Sequence, residues 1–373
     1  MGAPRFDRSE KENALLARAH AIAAANPRPA GRPFDANELG RIFRELAPTG
    51  YLASTLPKEA GGHGLTGLEF SALCEGLAPE HALLGNHSVQ RYLHQFGNAQ
   101  QQKRFLPALL EGEGIGAISM TESHAGSDLE RMTTVARRSG NAYVIDGEKT
   151  WVTHGLAADV IVLLAKTEAG LTRFLVPGDA PGLQREALEP VGLKHLGFAR
   201  LVFRGCEIPA ELRLGEEGEG LKGAKAAFPI ARVLAALQAV RIAKAAIEIA
   251  REYAQDRVAA RSRLASSSLV QHGLAQLSAR CEAVRLLALR VASDLQAIDA
   301  VPNASAAKAL AGELALDACR FAEDLLGSSS LHVSHPLTAL MGDARMMGVV
   351  DGTSVLNHLV VGRRMFPAER SGA

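Results

Sequence analysis

The chain has 373 residues, 47% of them hydrophobic, and its 41 basic and 40 acidic side chains give a formal charge of +1. This length exceeds the roughly 250 to 300 residues at which a single hydrophobic core stops growing, so more than one sub-domain is expected. The charge balance argues against a nucleic acid or an anionic membrane surface as the partner.

The cysteines and the N-terminal segment add expectations about metals and location. The four cysteines are scattered without paired spacing, which indicates neither a zinc site nor a disulfide framework. We therefore expect no bound metal and a reducing, cytoplasmic setting. The first twenty residues lack the pattern of a signal peptide, and no apolar run approaches the ~18 residues of a membrane span.

The hydrophobic pattern changes twice along the chain. Apolar residues recur at helical spacing up to about residue 114, β-rich runs separated by turn signals follow up to residue 215, and four long helical stripes complete the chain. The sequence predicts a mainly α fold with a central β domain. Its parts are an N-terminal helical domain at 1–114, a middle antiparallel β sandwich or barrel at 115–215, and a C-terminal four-helix bundle at 216–373.

Two stretches of the middle region carry groups that could contact a ligand. TESHAGSD (121–128) follows a predicted strand, and its turn could present backbone N–H groups and Ser127 to a phosphate or a heterocycle edge. A solvated β-turn is the alternative. KTWVTHG (149–155) holds the only tryptophan, and strand alternation would place Trp151 and Thr153 on one face. A buried tryptophan beside a surface threonine is the alternative.

Two further candidates lie in the C-terminal region. Arg257 lies towards the end of the predicted first bundle helix and could meet an anion, although a single helix cation is most often solvated. VVDGTSV (349–355) separates two apolar helical pieces. There, Asp351 could be a catalytic carboxylate whose basicity is raised by burial, or Asp351 or Thr353 could simply cap the last helix.

Taken together, these stretches resemble the acyl-CoA dehydrogenase family in order and approximate spacing, across nearly the whole chain. The resemblance is carried by four segments of the sequence, which read GNAQQQKRFLPALLEGEGIGAISMTESHAGSD, GEKTWVTHG, LGFARLVFRGCEIPAELRLG and HPLTALMGDARMMGVVDGTS. The family has the same three-part fold that the hydrophobic pattern predicts. By resemblance, FAD lies between the β domain and the bundle, and the protein is a homotetramer or at least a dimer.

The resemblance also implies roles for individual residues. Those expected to contact FAD are Met120 and Thr121 at the pyrimidine edge, Ser127 near the phosphates, Trp151 against the ring, Thr153 near the reactive nitrogen, Arg257 from a neighbouring subunit, and Thr353 after the catalytic turn. The implied reaction is the α,β-dehydrogenation of an acyl thioester. Asp351 would remove the α-proton, the β-hydrogen would leave as hydride to the flavin, and Arg232 and Gly352 would contact the substrate.

The sequence departs from the family pattern at positions that bear on the substrate. Asp351 stands where the family usually has Glu, which shortens the side chain by about 1.5 Å, the length of one C–C bond. Ala231 stands where some relatives carry their base, so Asp351 is the only matching candidate. Pro229 replaces an aspartate that usually contacts the pantetheine arm. An acyl-carrier-protein thioester is therefore an alternative to an acyl-CoA.

Three functional readings follow. The first is a dehydrogenase that passes electrons to an electron-transfer flavoprotein or O2. The second is a flavin oxidase of the same superfamily, of the nitroalkane or acyl oxidase type, because nitroalkane oxidases also use an aspartate base. The third is a non-catalytic, degenerate paralogue.

Overall fold

The N-terminal region is built from helices whose starts are encoded locally. The structure, a computed structural model, describes residues 7–366 except 86, 223 and 260, and no side chains between 223 and 228. Capping boxes begin four of the first five helices, with the side chains of Ser9, Asp35, Thr66 and Asn98 accepting from the backbone three residues on. The helices are α1 (Glu10–Ala25), α2 (Ala36–Leu46), α3 (Gly67–Leu77), α4 (His87–Phe96) and α5 (Ala99–Glu111).

The middle region forms one eight-stranded sheet in the order β6-β7-β3-β2-β4-β5-β8, with β1 beside β4. Most pairs are antiparallel, whereas β4 pairs in parallel with both β1 and β2. The strands are β1 (Gly116–Ser119), β2 (Val135–Ser139), β3 (Ala142–Val152), β4 (Val160–Thr167), β5 (Gly170–Pro177), β6 (Leu183–Ala187), β7 (Ala199–Pro209) and β8 (Arg213–Leu214).

The C-terminal region is a bundle of long helices. Its elements are α6 (Ala224–Asp256), the short hairpin of β9 (Val258–Ala259) and β10 (Ser262–Arg263), α7 (Ser268–Ser293), α8 (Ala300–Leu326), α9 (Pro336–Met347) and α10 (Ser354–Gly362). The predicted fourth helix is thus two helices, α9 and α10, and the segment 348–353 connects them. Among the described residues, no helix combines the length and apolarity that crossing a bilayer requires.

Two apolar cores hold these regions together. One core joins the first three helices to the bundle, and the other joins the sheet to α4 and α5. Burial of aliphatic side chains of this kind contributes roughly 25 cal/mol for each Å² removed from water. The predicted fold class, helical regions on either side of a central β region, is therefore confirmed.

The carboxylate of Asp343, on α9, lies where the three regions meet. Its Oδ1 accepts from the backbone N–H of Leu193 at 2.6 Å, and its Oδ2 accepts from Nη1 of Arg28 at 2.5 Å. Arg28 belongs to the segment after α1, and Leu193 to the segment between β6 and β7. Asp343 is 2% exposed, so its two bonds are made away from water, where they are strongest.

The glycine before Asp343 allows this close approach. A Cβ at Gly342 would lie 2.2 Å from the carbonyl oxygen of Val191, a distance that no real side chain reaches. Only glycine lets α9 pack against the 191–193 segment at this distance. Gly342 and Asp343 together fix α9, and with it the start of the segment 348–353, against the β region.

We expect Asp343→Ala to lower the free energy of unfolding by about 3–5 kcal/mol, because Arg28, whose other bonds are to the carbonyls of Pro79 and Glu80, loses the carboxylate that balances its charge. Urea denaturation followed by circular dichroism measures the change. The matched control is Asp317→Ala on α8, whose carboxylate forms an exposed ion pair with Arg280 and should change stability by less than about 1 kcal/mol. Equal losses for the two variants would contradict this role of Asp343.

Candidate active site

The turn between α9 and α10 has an unusual backbone. Asp351 has φ +53° and Gly352 has φ +94°, so two consecutive residues lie in the left-handed region. Glycine reaches this region freely, but for other residues it costs energy unless the surroundings impose it. The strain falls on Asp351, the carboxylate that the sequence singles out.

Two side chains from the bundle impose this conformation. Lys308, on α8 and 1% exposed, donates from Nζ to the carbonyl oxygens of Gly348, at 3.2 Å, and Gly352. Asn357, buried on α10, donates from Nδ2 to the carbonyl oxygens of Gly352 at 2.9 Å and Thr353 at 3.1 Å. The turn is therefore held at its carbonyls from two helices.

Neither Lys308 nor Asn357 is among the site residues predicted from the sequence, although the sequence pattern marks both as unusual. Asn357 interrupts the apolar run of α10, and Lys308 interrupts the alanine-rich run of α8. A polar side chain on an otherwise apolar helix face is informative because burying it requires a partner. The partners here are backbone carbonyls of the turn, which the sequence could not reveal.

Two opposing influences act on the pKa of Asp351, namely desolvation and nearby positive charge. Its side chain is open to solvent on one side, yet desolvation by the protein around it is the largest influence and raises its pKa. The positive charges of Lys308, Arg232 and Arg91 oppose that increase. Asp351 therefore lies in a cleft, reachable from outside but surrounded by protein and by cations.

The other predicted residues of this turn have defined positions. The hydroxyl of Thr353 accepts from the backbone N–H of Leu356 at 3.2 Å and caps α10. Of the two capping candidates in this turn, Thr353 is thus the N-cap. Arg232, on α6, donates from Nη1 to the hydroxyl of Ser305 at 2.8 Å, and Asp351 is the charge that acts on its guanidinium. Arg232 and the turn therefore face the same cleft.

A second group of predicted residues lies at the end of β1. Lys149 and Glu122 form a fully buried ion pair at 2.9 Å, and Nζ of Lys149 also donates to the carbonyl oxygen of Met120 at 3.0 Å. Burial alone would raise the pKa of Glu122, but bonds from Thr134, Lys149 and the backbone N–H of Thr133 outweigh it and lower that pKa to about 2. The buried ion pair of Lys149 and Glu122 thus fixes the segment after β1 that carries Met120 and Thr121.

Trp151 occupies a bulge at the end of β3. The pairing of β3 with β7 shifts between Lys149 and Val152, and Trp151 within this bulge has φ +58°. Its indole is 49% exposed and contacts Phe198 edge to face, with ring centroids 5.8 Å apart. The expected strand alternation of Trp151 with Thr153 is wrong, because the bulge interrupts it and Thr153 follows the end of the strand.

Ser127 and Arg257 stand apart from these two groups. Both side chains are exposed, Ser127 in the turn after β1 and Arg257 immediately after α6. The backbone of Arg257 is fixed, since its N–H donates to Tyr253 and its carbonyl accepts from Leu264, both at 2.9 Å. Hydrogen bonds among the described residues connect neither side chain to the catalytic turn, and their predicted contacts remain predictions.

Four buried histidines lie behind the segment that carries Thr153. His154 accepts from the backbone N–H of Gly85 at 3.4 Å, and the rings of His81 and His195 are bonded to backbone carbonyls. Burial is the largest influence on all four and lowers their pKa values, to about 4 for His154 and to about 3 for His87. The neutral forms therefore belong to the folded state.

These histidines predict that the protein loses stability in mild acid. Each has a folded-state pKa below its unfolded value of about 6.5, so its contribution is complete above that pH and is lost as the pH falls towards 4. The loss is up to about 1.4 kcal/mol per pH unit for each histidine. Melting temperatures between pH 7 and pH 4.5 measure it. His154→Gln should flatten the slope, whereas His20→Gln, at an exposed position of α1, should not. A stability that does not change over this range would contradict the prediction.

Comparison with known proteins identifies the family to which the chain is similar. Three family models cover the chain in order: "Acyl-CoA dehydrogenase, N-terminal domain" at residues 9–113, the middle domain at 117–206 and the C-terminal domain at 218–366. The chain is 32% identical over 341 residues to the short-chain specific acyl-CoA dehydrogenase of mouse mitochondria, with coverage of 88% of this chain and 83% of that protein.

Two further similarities extend the comparison to a bacterial relative and to a solved structure. The chain is 34% identical over 337 residues to benzylmalonyl-CoA dehydrogenase of Aromatoleum aromaticum, with coverage of 87% and 89%. Its structure matches that of butyryl-CoA dehydrogenase from Megasphaera elsdenii with a TM-score of 0.87 at 26% identity, over 97% of this chain and 100% of the other.

Proposed function

The chain belongs to the acyl-CoA dehydrogenase family, and from this premise we propose that it catalyses the FAD-dependent α,β-dehydrogenation of an acyl thioester with Asp351 as the base. Members of this family are FAD-binding flavoproteins and oxidoreductases that act on CH–CH bonds, so the cofactor is FAD. The finer parts of the proposal are the base, the substrate contacts and the electron acceptor.

The observation that carries the proposal is the position of Asp351. A carboxylate that must remove a proton from carbon needs a raised basicity and a fixed position. Desolvation by the surrounding protein raises the pKa of Asp351, and the bonds from Lys308 and Asn357 fix the turn that carries it. The strained φ of Asp351 is a further sign that its position is imposed by its surroundings.

The residues at the ends of β1 and β3 fit a flat heterocycle. Trp151 exposes half of its indole, and the carbonyl of Met120 is held by Lys149. The side chains of Thr121 and Thr153 are half-buried, and within the described part of the chain their hydroxyls have no protein hydrogen-bond partner, so both can bind a ligand. We propose that these four residues hold FAD, assisted by Ser127 and Thr353, with Arg257 supplied by a neighbouring subunit. When bound, FAD supplies the acceptor for the hydride that leaves the β-carbon.

The substrate contacts are proposed from the same cleft. Removal of the α-proton places negative charge on the thioester oxygen, which a backbone N–H can stabilise. Within the described residues, the N–H groups of Asp351 and Gly352 donate to no protein acceptor. We assign the N–H of Gly352 to this oxygen and Arg232, which faces Asp351, to the substrate side of the cleft.

The carrier and the acceptor complete the proposal. The substrate is an acyl-CoA, with an acyl-carrier-protein thioester as the alternative, and the electrons pass to an electron-transfer flavoprotein, with O2 as the alternative.

The alternative function, a flavin oxidase, is supported by the aspartate base itself. Against the oxidase stands His358, which replaces the arginine that nitroalkane oxidases carry seven residues after their base; it is exposed and paired with Glu313 at 2.9 Å. Stoichiometric release of peroxide in air would favour the oxidase.

We also propose a homo-oligomer in the cytoplasm. Several large apolar side chains of the bundle are exposed, as an interface between subunits would require. They include Leu269, Leu331, Val333, Val355 and Leu359. The cytoplasmic setting is supported by four cysteines that are all buried as free thiols.

Asp351→Asn tests the catalytic assignment. We expect the variant to keep its FAD but to lose about 10²- to 10⁴-fold in the rate of anaerobic flavin bleaching by a suitable acyl thioester, because the amide cannot take the proton. Asp317→Asn, an exposed substitution on α8, should bleach as fast as the wild-type protein. Equal rates for Asp351→Asn and the wild type would overturn the assignment of the base.

Arg257→Met tests the neighbouring-subunit contribution. We expect FAD to bind about 10- to 100-fold more weakly, because the variant loses charged hydrogen bonds to a phosphate. Titration of the apoprotein with FAD measures the affinity. Arg251→Met removes an exposed arginine of α6 that pairs with Glu248 and should leave the affinity unchanged. If Arg257→Met also bound FAD normally, Arg257 would have no part in the site.

A further inference from the structure

Arg91, on α4, is a cation that the proposed chemistry does not use. Its Nη2 donates to the hydroxyl of Ser88 at a long 3.3 Å, and its Nε is buried without a hydrogen-bond partner. Among the described residues it forms no ion pair within contact distance. The one carboxylate whose charge acts on it is Asp351. Such an arginine costs free energy, because a guanidinium removed from water needs an anionic partner to offset its desolvation.

Asp351 does not fully supply that partner. Lys308 already lies against the turn, with its Nζ on the carbonyls of Gly348 and Gly352, and it acts on the same carboxylate. Arg232 acts on it as well. One carboxylate thus faces three cations from three different helices, α4, α6 and α8. Lys308 is held by carbonyls of the turn and Arg232 by the hydroxyl of Ser305 at 2.8 Å, whereas the one printed bond of Arg91 within the described residues is the long one to Ser88.

Arg91 also lines a small cavity beside the cleft. The cavity has a volume of about 130 Å³, and α4 and α6 supply part of its wall. Its lining residues are Thr55, Ser88, Arg91, Tyr92, Gln95, Ile230, Leu295 and Gln296. A cavity of roughly 150 Å³ can hold a molecule of the size of benzene, so this one has room for a few heavy atoms. Arg91 lines this cavity and is also one of the cations that act on Asp351, so it connects the cavity with the surroundings of the proposed base.

We propose that the acyl group of the substrate carries a negative charge of its own, most simply a terminal carboxylate, and that Arg91 binds this charge in the cavity. The substrate class is then the monothioester of a short dicarboxylic acid. This inference rests on the proposed function, since it names the substrate class of the same site. Arg91 is a specificity-determining residue, and Asp351 keeps its role as the base.

The cations around the cavity favour an anionic acyl group and disfavour a neutral or cationic one. A terminal carboxylate gives Arg91 the bidentate partner that its fork geometry matches. A neutral acyl chain would fill the same space and leave the half-buried guanidinium without an anionic partner and its Nε without a hydrogen bond, and a site of that kind rejects the uncharged analogue strongly. A cationic chain would face Arg91, Arg232 and Lys308 together.

Paired thioesters of equal chain length test the proposal on the FAD-loaded protein. The pairs are succinyl-CoA with butyryl-CoA, glutaryl-CoA with pentanoyl-CoA, and adipyl-CoA with hexanoyl-CoA. The measurements are the rate of anaerobic flavin bleaching and, independently of turnover, the dissociation constant by calorimetry. We expect at least one dicarboxylic thioester to be preferred over its neutral partner by on the order of 30-fold or more.

Variants of Arg91 separate the contribution of its charge from that of its shape. Arg91→Met should abolish the preference, mainly by weakening the dicarboxylic thioester, while the neutral one binds as before or more tightly. Arg91→Lys keeps the charge and should retain part of the preference. Arg18→Met, at an exposed position of α1, is the matched control and should behave as the wild type.

The outcomes distinguish the two levels of the proposal. Bleaching by the neutral thioesters at rates equal to or above those of their dicarboxylic partners would overturn the role of Arg91 and leave the dehydrogenase function intact. A preference that survives in Arg91→Met would also overturn it, because the charge would then be recognised elsewhere. If no thioester of either kind bleached the flavin or bound, the proposed function itself would fail, and this inference with it.

Discussion

The buried carboxylate of Asp343 is the constraint on which the site depends. It accepts one bond from the N-terminal region through Arg28 and one from the β region through the backbone of Leu193, while it belongs itself to the bundle. The candidate cofactor groups lie on the β region and the candidate base lies on the bundle. Their relative position is set by the junction between these regions, where Asp343 is bonded to both of the other two.

A series of contacts connects that junction to the proposed base. Asp343 and Gly342 fix α9, the turn that carries Asp351 follows α9 directly, and Lys308 and Asn357 bind the carbonyls of this turn. The polar groups that do this are buried and bonded to backbone, so they cannot relax by rotating into solvent. Strain at Asp351 is maintained by these contacts, and it is balanced by the large apolar core that joins the N-terminal helices to the bundle.

The sequence contains enough information for the fold and for part of the site. Capping boxes, apolar spacing and turn residues are local signals, and they predict the three regions because each depends only on neighbours in the chain. Position along the chain also identifies Asp351 as a candidate, since an acidic residue and a glycine there interrupt two apolar helices. The identity of Thr353 as the cap needed the structure, because either residue could have served.

What could not be predicted depends on contacts between distant segments. Lys308 lies 40 and 44 residues from the two carbonyls that it holds, and Arg28 lies 315 from Asp343. The bulge at Trp151 arises from a register shift against β7, which no property of KTWVTHG alone specifies. Arg91 has no signal in the sequence at all, because an arginine on a helix becomes unusual only once the structure shows its Nε buried without a hydrogen-bond partner.

The exposed position of Trp151 has a consequence for spectroscopy. It is the only tryptophan in the chain, and half of its indole faces outward at the end of β3. Excitation at the red edge of protein absorption therefore addresses one known point of the molecule. An aromatic ring bound next to Trp151 would quench that fluorescence, and the fluorescence would return when the ring dissociates. The emission of Trp151 therefore reports whether the site beside it is occupied.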